Sequence, residues 1–116
     1  MKLAEFFEKY NLHDSIIEDL KYIPGEMKLV INLELCNWKQ SFYESTEPEM
    51  KVGSLVFWGI AYFQAEPKTL SIDSNEILDV SLFPSKDAVK IIFTNCNDVG
   101  TIEVKAESVS WEKEIE

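Results

Sequence analysis

Asn11-Leu12-His13-Asp14-Ser15-Ile16-Ile17, running on into Glu18-Asp19-Leu20-Lys21-Tyr22-Ile23, is the stretch on which the fold turns. Just before it, Leu3, Phe6, Phe7 and Tyr10 recur at i, i+3, i+4 and i+7, with Lys2, Glu5, Glu8 and Lys9 between them. That spacing predicts one amphipathic helix of two to three turns. After it, apolar residues alternate with polar ones, the period of a strand. The stretch is therefore a joint between a short helix and a long run of β-structure. A helix this short is marginal alone, so its Phe-rich face is expected to dock on the sheet.

The joint carries the only histidine, and His13-Asp14-Ser15 contains the residue types of a hydrolytic triad. Their spacing argues against one. In an extended chain neighbours point to opposite faces, so Asp14 would face away from His13 and Ser15, and triad members normally converge from separate segments. Asp and Ser side chains bond nearby backbone groups where a helix hands over to a strand. His13, Asp14 and Ser15 are accordingly read as a structural joint, with Asp14 accepting backbone or hydroxyl hydrogen bonds.

Downstream, Ser15 to Ile23 reads as a strand and Pro24-Gly25 as a turn. Met27, Leu29, Ile31, Leu33 and Leu35 then alternate with Lys28, Asn32 and Glu34, the pattern of a half-buried antiparallel strand. Trp38 to Met50 breaks the alternation with an acidic link containing Phe42, Tyr43, Glu44, Glu47, Pro48 and Glu49. Val52 to Phe63 is apolar on both alternating faces and is expected to be a central strand covered on both sides, the helix being one candidate cover. Left uncovered, its aromatic strip would be a binding surface. Gly53 and Gly59 within it imply a bulge or a close backbone approach. Thr69–Ile72 and Ile77–Phe83 read as short strands, and Pro84 to Asp87 as a turn. A final hairpin follows, Val89–Phe93 turning through Asn95–Gly100 and returning from Thr101 to Trp111. Ile102, Val104 and Ala106 share one phase and Val109 and Trp111 the other, which requires a bend near Glu107-Ser108.

The sum is a single α+β domain over residues 1–116. It is mostly antiparallel β, with six or seven strands in a sandwich or half-barrel and one short N-terminal amphipathic helix packed on the sheet. Its 116 residues suffice for one core.

Charge narrows the partners. There are 21 acidic residues against 11 lysines and no arginine, for a formal net charge of −10. Nucleic-acid binding needs basic patches and is not expected, whereas an acidic surface steers basic partners. No apolar run approaches the ~20 residues needed to span a bilayer. Glutamates interrupt the N-terminal segment where a signal peptide would be apolar, which points to a cytoplasmic protein without membrane association. Cys36 and Cys96 lie far apart, outside any metal-binding spacing, and are read as reduced and packed. No phosphate loop, nucleophile elbow or cofactor motif occurs, so neither catalysis nor a cofactor or metal is expected.

A short helix, Leu12-His13-Asp14-Ser15-Ile16-Ile17, and a hairpin ending in Leu29-Val30-Ile31-Asn32-Leu33 together resemble a group of small bacterial proteins. Some of that group are catalogued as immunity proteins of polymorphic toxin systems. The last hairpin, Ile91-Ile92-Phe93 through Gly100-Thr101-Ile102-Glu103-Val104 to Ser108-Val109, is similar to theirs. The resemblance implies a protein that binds a cognate toxin and blocks it; the chain is read as a non-enzymatic binding module, a monomer or weak homodimer. The charge suits a basic toxin. Partner-binding candidates are Phe42, Tyr43, Glu44, Glu47 and Glu49. Two alternatives stay open: a small-ligand binder using Trp58 and Tyr62 as an aromatic surface or pocket, and a structural or assembly domain.

Overall fold

A computed structural model describes residues 1–66, 75–83, 87–95 and 98–113. One helix, α1 (Leu3–Lys9), precedes six strands: β1 (Ile16–Ile23), β2 (Lys28–Cys36), β3 (Met50–Glu66), β4 (Asn75–Phe83), β5 (Ala88–Asn95) and β6 (Asp98–Lys113). All neighbouring strands pair antiparallel. The sheet goes one step beyond a sandwich or half-barrel and closes on itself in the order β1-β2-β3-β6-β5-β4. Alternation reports which face of a strand is buried. It does not report that β1 and β4 meet.

The alternating residues fill the barrel. Leu29, Ile31, Leu33 and Leu35 of β2 point inward beside Leu55 and Phe57 of β3, Ile91 and Phe93 of β5, and Ile102 and Val104 of β6, all essentially inaccessible. Six strands enclose a lumen narrower than that of an eight-stranded barrel, and these side chains occupy it. One mouth is covered by α1. Leu3 and Phe6 are each 1% exposed, Phe7 stacks on Phe57 at 6.5 Å, and the helix reaches both β6 and β4, which lie on different sides of the barrel. The Val109 N–H donates to the Met1 carbonyl at 2.8 Å and ties the chain start to β6.

The phase changes have local causes. The register of β3 against β6 shifts between Ile60 and Tyr62, and Gly59 has φ +66°. Directly across, β6 changes phase between Ala106 and Val109, both buried, where a bend was expected. A side chain at Gly59 would be strained by its backbone and would meet the Glu107 carboxylate at 2.7 Å. Gly53 serves close approach instead: a Cβ there would lie 2.6 Å from both the Glu112 carbonyl oxygen and the Trp111 ring.

Three expectations are revised. The outer face of β3 is covered only in part: Val56 is buried there, whereas α1 spans the mouth and leaves Val52, Trp58 and Tyr62 42%, 39% and 45% exposed. The last hairpin turns more tightly than Asn95–Gly100, since pairing continues to Asn95 opposite Asp98. β4 begins two residues earlier, at Asn75, in order to reach β1. The strand expected over 69–72, residues 84–86 of the turn expected over 84–87, and Cys96 lie outside the described residues; Asp87, which ends that turn, has φ +48°. Cys36 is buried, as expected of a packed thiol.

Because Phe6 fills the mouth, Phe6→Ala is expected to destabilise the protein by about 3–5 kcal/mol in urea unfolding. A change near zero would show that the helix does not close the core.

Candidate functional site

The joint is built by a tight turn. The Tyr10 N–H donates to the Phe6 carbonyl at 2.8 Å and ends α1, and the Asn11 side-chain oxygen accepts from the His13 N–H at 3.0 Å. The Ser15 N–H then closes on the Leu12 carbonyl at 3.0 Å. Between them Asp14 has φ +67°, a left-handed conformation that aspartate tolerates better than most residues. This corrects the expectation that Asp14 faces away from His13, which assumed extended backbone. The positive φ swings the carboxylate to 3.1 Å from His13 Nδ1.

Asp14 is also bonded differently from the backbone role expected of it. Its other oxygen takes an ion pair from Lys39 Nζ at 2.8 Å. Ser15 does the backbone work. Fully buried, its Oγ accepts from the Cys36 N–H at 2.9 Å, so it is spent as a structural acceptor. His13 Nδ1 lies 3.3 Å from Lys39 Nζ as well, so it accepts from lysine when bare and donates to Asp14 when protonated.

The segment after β2 is pinned to this joint. A single turn of 3₁₀ helix, Asn37–Lys39, places Gln40 beneath the helix end. Gln40 Nε2 donates to the Asn11 carbonyl at 2.6 Å and to the Cys36 carbonyl at 3.0 Å, and its Oε1 accepts from the Asn11 N–H at 2.8 Å. Further along, the Asn37 and Trp38 N–H groups converge on the Glu49 carbonyl at 2.8 and 3.1 Å, and Asn37 Nδ2 donates to the Pro48 carbonyl at 2.9 Å. The acidic link is thus a braced loop.

Its candidate residues divide. Phe42 is 39% exposed, edge-on to Tyr10 at 5.3 Å, with Lys9 Nζ 5.5 Å from its ring. Tyr43 is half-buried and its hydroxyl donates to the Glu47 carbonyl at 3.3 Å. Glu47 turns inward, its carboxylate accepting from the Glu44 N–H at 3.1 Å and pairing with Lys51 at 2.8 Å. Glu44 and Glu49 remain exposed. Trp58 and Tyr62 lie apart from this region on the outer face of β3. Lys28 Nζ sits 4.5 Å over the Trp58 ring, and the Tyr62 hydroxyl meets Gln64.

Joint and loop together frame a cleft of about 500 Å³ between α1 and β4. Phe7, Tyr10, Leu12, Val80 and Leu82 give it apolar walls, and Lys9, His13, Lys39, Glu8 and Asp79 ring it with mixed charge. Asp14 and Glu76 lie beside it. Lys39's ammonium, and then the Glu76 hydrogen bond, hold the Asp14 carboxyl down at about 2. Glu76 is pushed up, mainly because its protonated form donates to Asp14. The same ion pair raises Lys39, and burial raises the Cys36 thiol, which favours an inert cysteine. No cluster of metal-ligating side chains occurs among the described residues.

Trp38, Lys39, Gln40 and Glu76 were not singled out from the sequence. Trp38 was visible as a tryptophan opening a polar loop, and it proves 51% exposed. Nothing in the order of residues links Lys39 or Glu76 to Asp14. Comparison with models of known families, with curated proteins and with solved structures returns no significant match.

Gln40→Ala would strand the Asn11 amide group and leave the loop unpinned. It is expected to cost about 1–3 kcal/mol, the usual penalty for unsatisfied buried partners, with Trp38 fluorescence shifting as the loop loosens. An unchanged unfolding midpoint would show that the loop is held by other contacts.

Proposed function

We propose that this protein is a non-enzymatic binding module that engages a basic protein partner through the braced loop over 37–49 and the adjoining cleft. One observation carries the reading: Trp38 and Phe42 are exposed on a loop fixed by internal hydrogen bonds, beside the exposed carboxylates Glu44 and Glu49. Aromatic side chains presented on a rigid segment lose little freedom on binding and supply most of an interface's energy. Surrounding carboxylates chiefly set the association rate with a positive partner. The net charge of −10 acts in the same direction at longer range.

Within this reading, the resemblance of the joint and hairpins to small bacterial immunity proteins supports a cognate toxin as the partner, neutralised by occlusion in the cytoplasm. Glu47 is reassigned from partner contact to loop brace, because Lys51 and the Glu44 amide already use its carboxylate. Tyr43 joins it in that role. A small-ligand reading is favoured by one feature, the cleft volume of about 500 Å³, which falls in the range of ligand sites.

Co-expression with the product of the adjacent gene tests the proposal. Protection in a toxicity assay and co-purification as a stoichiometric complex are expected. In that complex Trp38→Ala and Phe42→Ala should each speed dissociation roughly tenfold or more, the scale of an interface anchor. Glu44→Lys with Glu49→Lys should slow association several-fold and flatten its salt dependence. No complex and no protection would sink the toxin reading. A metabolite retained through purification and displaced by Leu82→Trp would favour the small ligand.

A further inference from the structure

The cleft beside the joint opens on the edge of a strand. Asp79 and Val80 are neighbours in β4, so their side chains leave the sheet on opposite faces, yet both line the cleft. A wall that shows both is the strand seen edge-on. Along one side β4 is paired with β5 to its end, from Ile77 with Phe93 to Phe83 with Ala88. Along the other it meets β1 at Asn75 and Glu76. Ile77 adds two backbone bonds there, its carbonyl accepting from the Asp14 N–H at 2.9 Å and its N–H donating to the Ser15 carbonyl at 2.7 Å. Beyond Ile77 that neighbour leaves. The chain preceding β1 turns out of the sheet at Asp14, whose φ is +67°, and leads back through Leu12 to α1. Among the described residues none pairs with the side of 78–83 that faces this turn.

An edge left in this state is built to pair. Successive residues of an antiparallel strand aim their backbone groups at alternate neighbours, so about half of the N–H and C=O groups of 78–83 face away from β5. Register with β5 is regular from Asp79 to Phe83, which keeps the edge extended. Edges that must stay single are guarded by lysine or proline. Here the run is Leu78-Asp79-Val80-Ser81-Leu82-Phe83, with neither, and Leu78 and Phe83 are 37% and 43% exposed.

We propose that the β4 edge over 78–83 is a strand-addition site that takes an extended basic segment of the protein partner. The inference rests on the basic-partner reading above and names how that partner docks. Backbone bonds to the edge hold the segment, and alternate side chains enter between Phe7, Tyr10 and Leu12 on one wall and Val80 and Leu82 on the other. Charge selects the remaining side chains. The cations of the cleft are already engaged: Lys39 Nζ lies 2.8 Å from Asp14, and Lys9 Nζ lies 5.5 Å from the centres of the Tyr10 and Phe42 rings. Its carboxylates are not. Glu8 of α1 and Asp79 of β4 are both exposed, and neither has an ion-pair partner among the described residues. A strand that alternates apolar residues with lysine or arginine satisfies the walls, the edge and these two carboxylates together.

Titrating the protein with an end-blocked peptide of alternating valine and lysine, about six residues long to match the edge, tests this by amide hydrogen exchange read by NMR. At saturation the cleft-facing amides within 78–83 should exchange about tenfold more slowly, with amides of the β3–β6 ladder unchanged. The same peptide fully N-methylated keeps its charge but cannot donate to the edge, and it should give no protection. Glu8→Gln with Asp79→Asn should weaken the valine–lysine peptide several-fold. Absence of protection, or equal binding by the N-methylated peptide, would overturn strand addition. Protection that rises with protein concentration alone would assign the edge to a second copy of the chain and overturn the basic segment as its occupant. The two readings also fail separately. A complex with the adjacent gene's product that is weakened by Trp38→Ala yet leaves 78–83 unprotected would overturn the edge and keep the basic partner. Peptide addition at the edge with no such complex would keep the edge and overturn that partner.

Discussion

Among the described residues two pairs, Ile16 with Glu76 and Ile17 with Asn75, join β1 to β4, and the barrel is closed through this junction. An open sheet would expose the β1 and β4 edges and the leucine- and isoleucine-lined face between them. Three neighbouring elements reinforce the junction. Ser15 bridges β1 to the end of β2. Asp14 turns left-handed and pairs with Lys39 of the 3₁₀ turn. Gln40 fastens the following loop to the helix end. The joint, the 3₁₀ turn and the first residues of β4 therefore behave as one unit whose purpose is closure.

Closure also decides where function can reside. The lumen is filled by side chains from all six strands, so the molecule meets its surroundings through its outer surface and its ends. Those ends differ in chemistry. At the helix end, braced backbone presents Trp38 and Phe42 beside a cleft and exposed carboxylates. On the outer face of β3, Trp58 is topped by Lys28 and Tyr62 is opposite Lys105.

Much of the scaffold was legible in the chain because the cues are local. The helix face, the alternation in β2, the bend opposite Gly59 and the reason for Gly53 all follow from periodicity or from one residue's sterics. What escaped depends on contacts distant in sequence. Barrel closure rests on β1 meeting β4, some sixty residues further on. The outer face of β3 reads as buried because Val52, Trp58 and Tyr62 are apolar, yet no layer of described residues packs over them. Within the site, His13, Asp14 and Ser15 lie between the end of α1 and the start of β1. The partners that give Asp14 its electrostatics, Lys39 and Glu76, come from separate segments that carry no local signal. Asp14's orientation was misjudged for a local reason: two-fold alternation fails where φ turns positive.

The helix and the barrel are mutually dependent. Seven residues fall well below the length at which a helix persists in water, and Lys2 at its N-cap supplies no side-chain cap. Leu3 and Phe6 hold α1 in place only if a closed mouth exists to receive them, and that mouth stays dry only if α1 covers it. The cleft inherits this dependence, since Phe7 and Tyr10 form one wall and Val80 and Leu82 of β4 another. Separating β1 from β4 would pull those walls apart. Whatever occupies the cleft therefore binds the closed barrel in preference to the open one and tightens the seam by the same free energy with which closure improves binding. Binding by a molecule held between those walls would then share one equilibrium with the integrity of the fold.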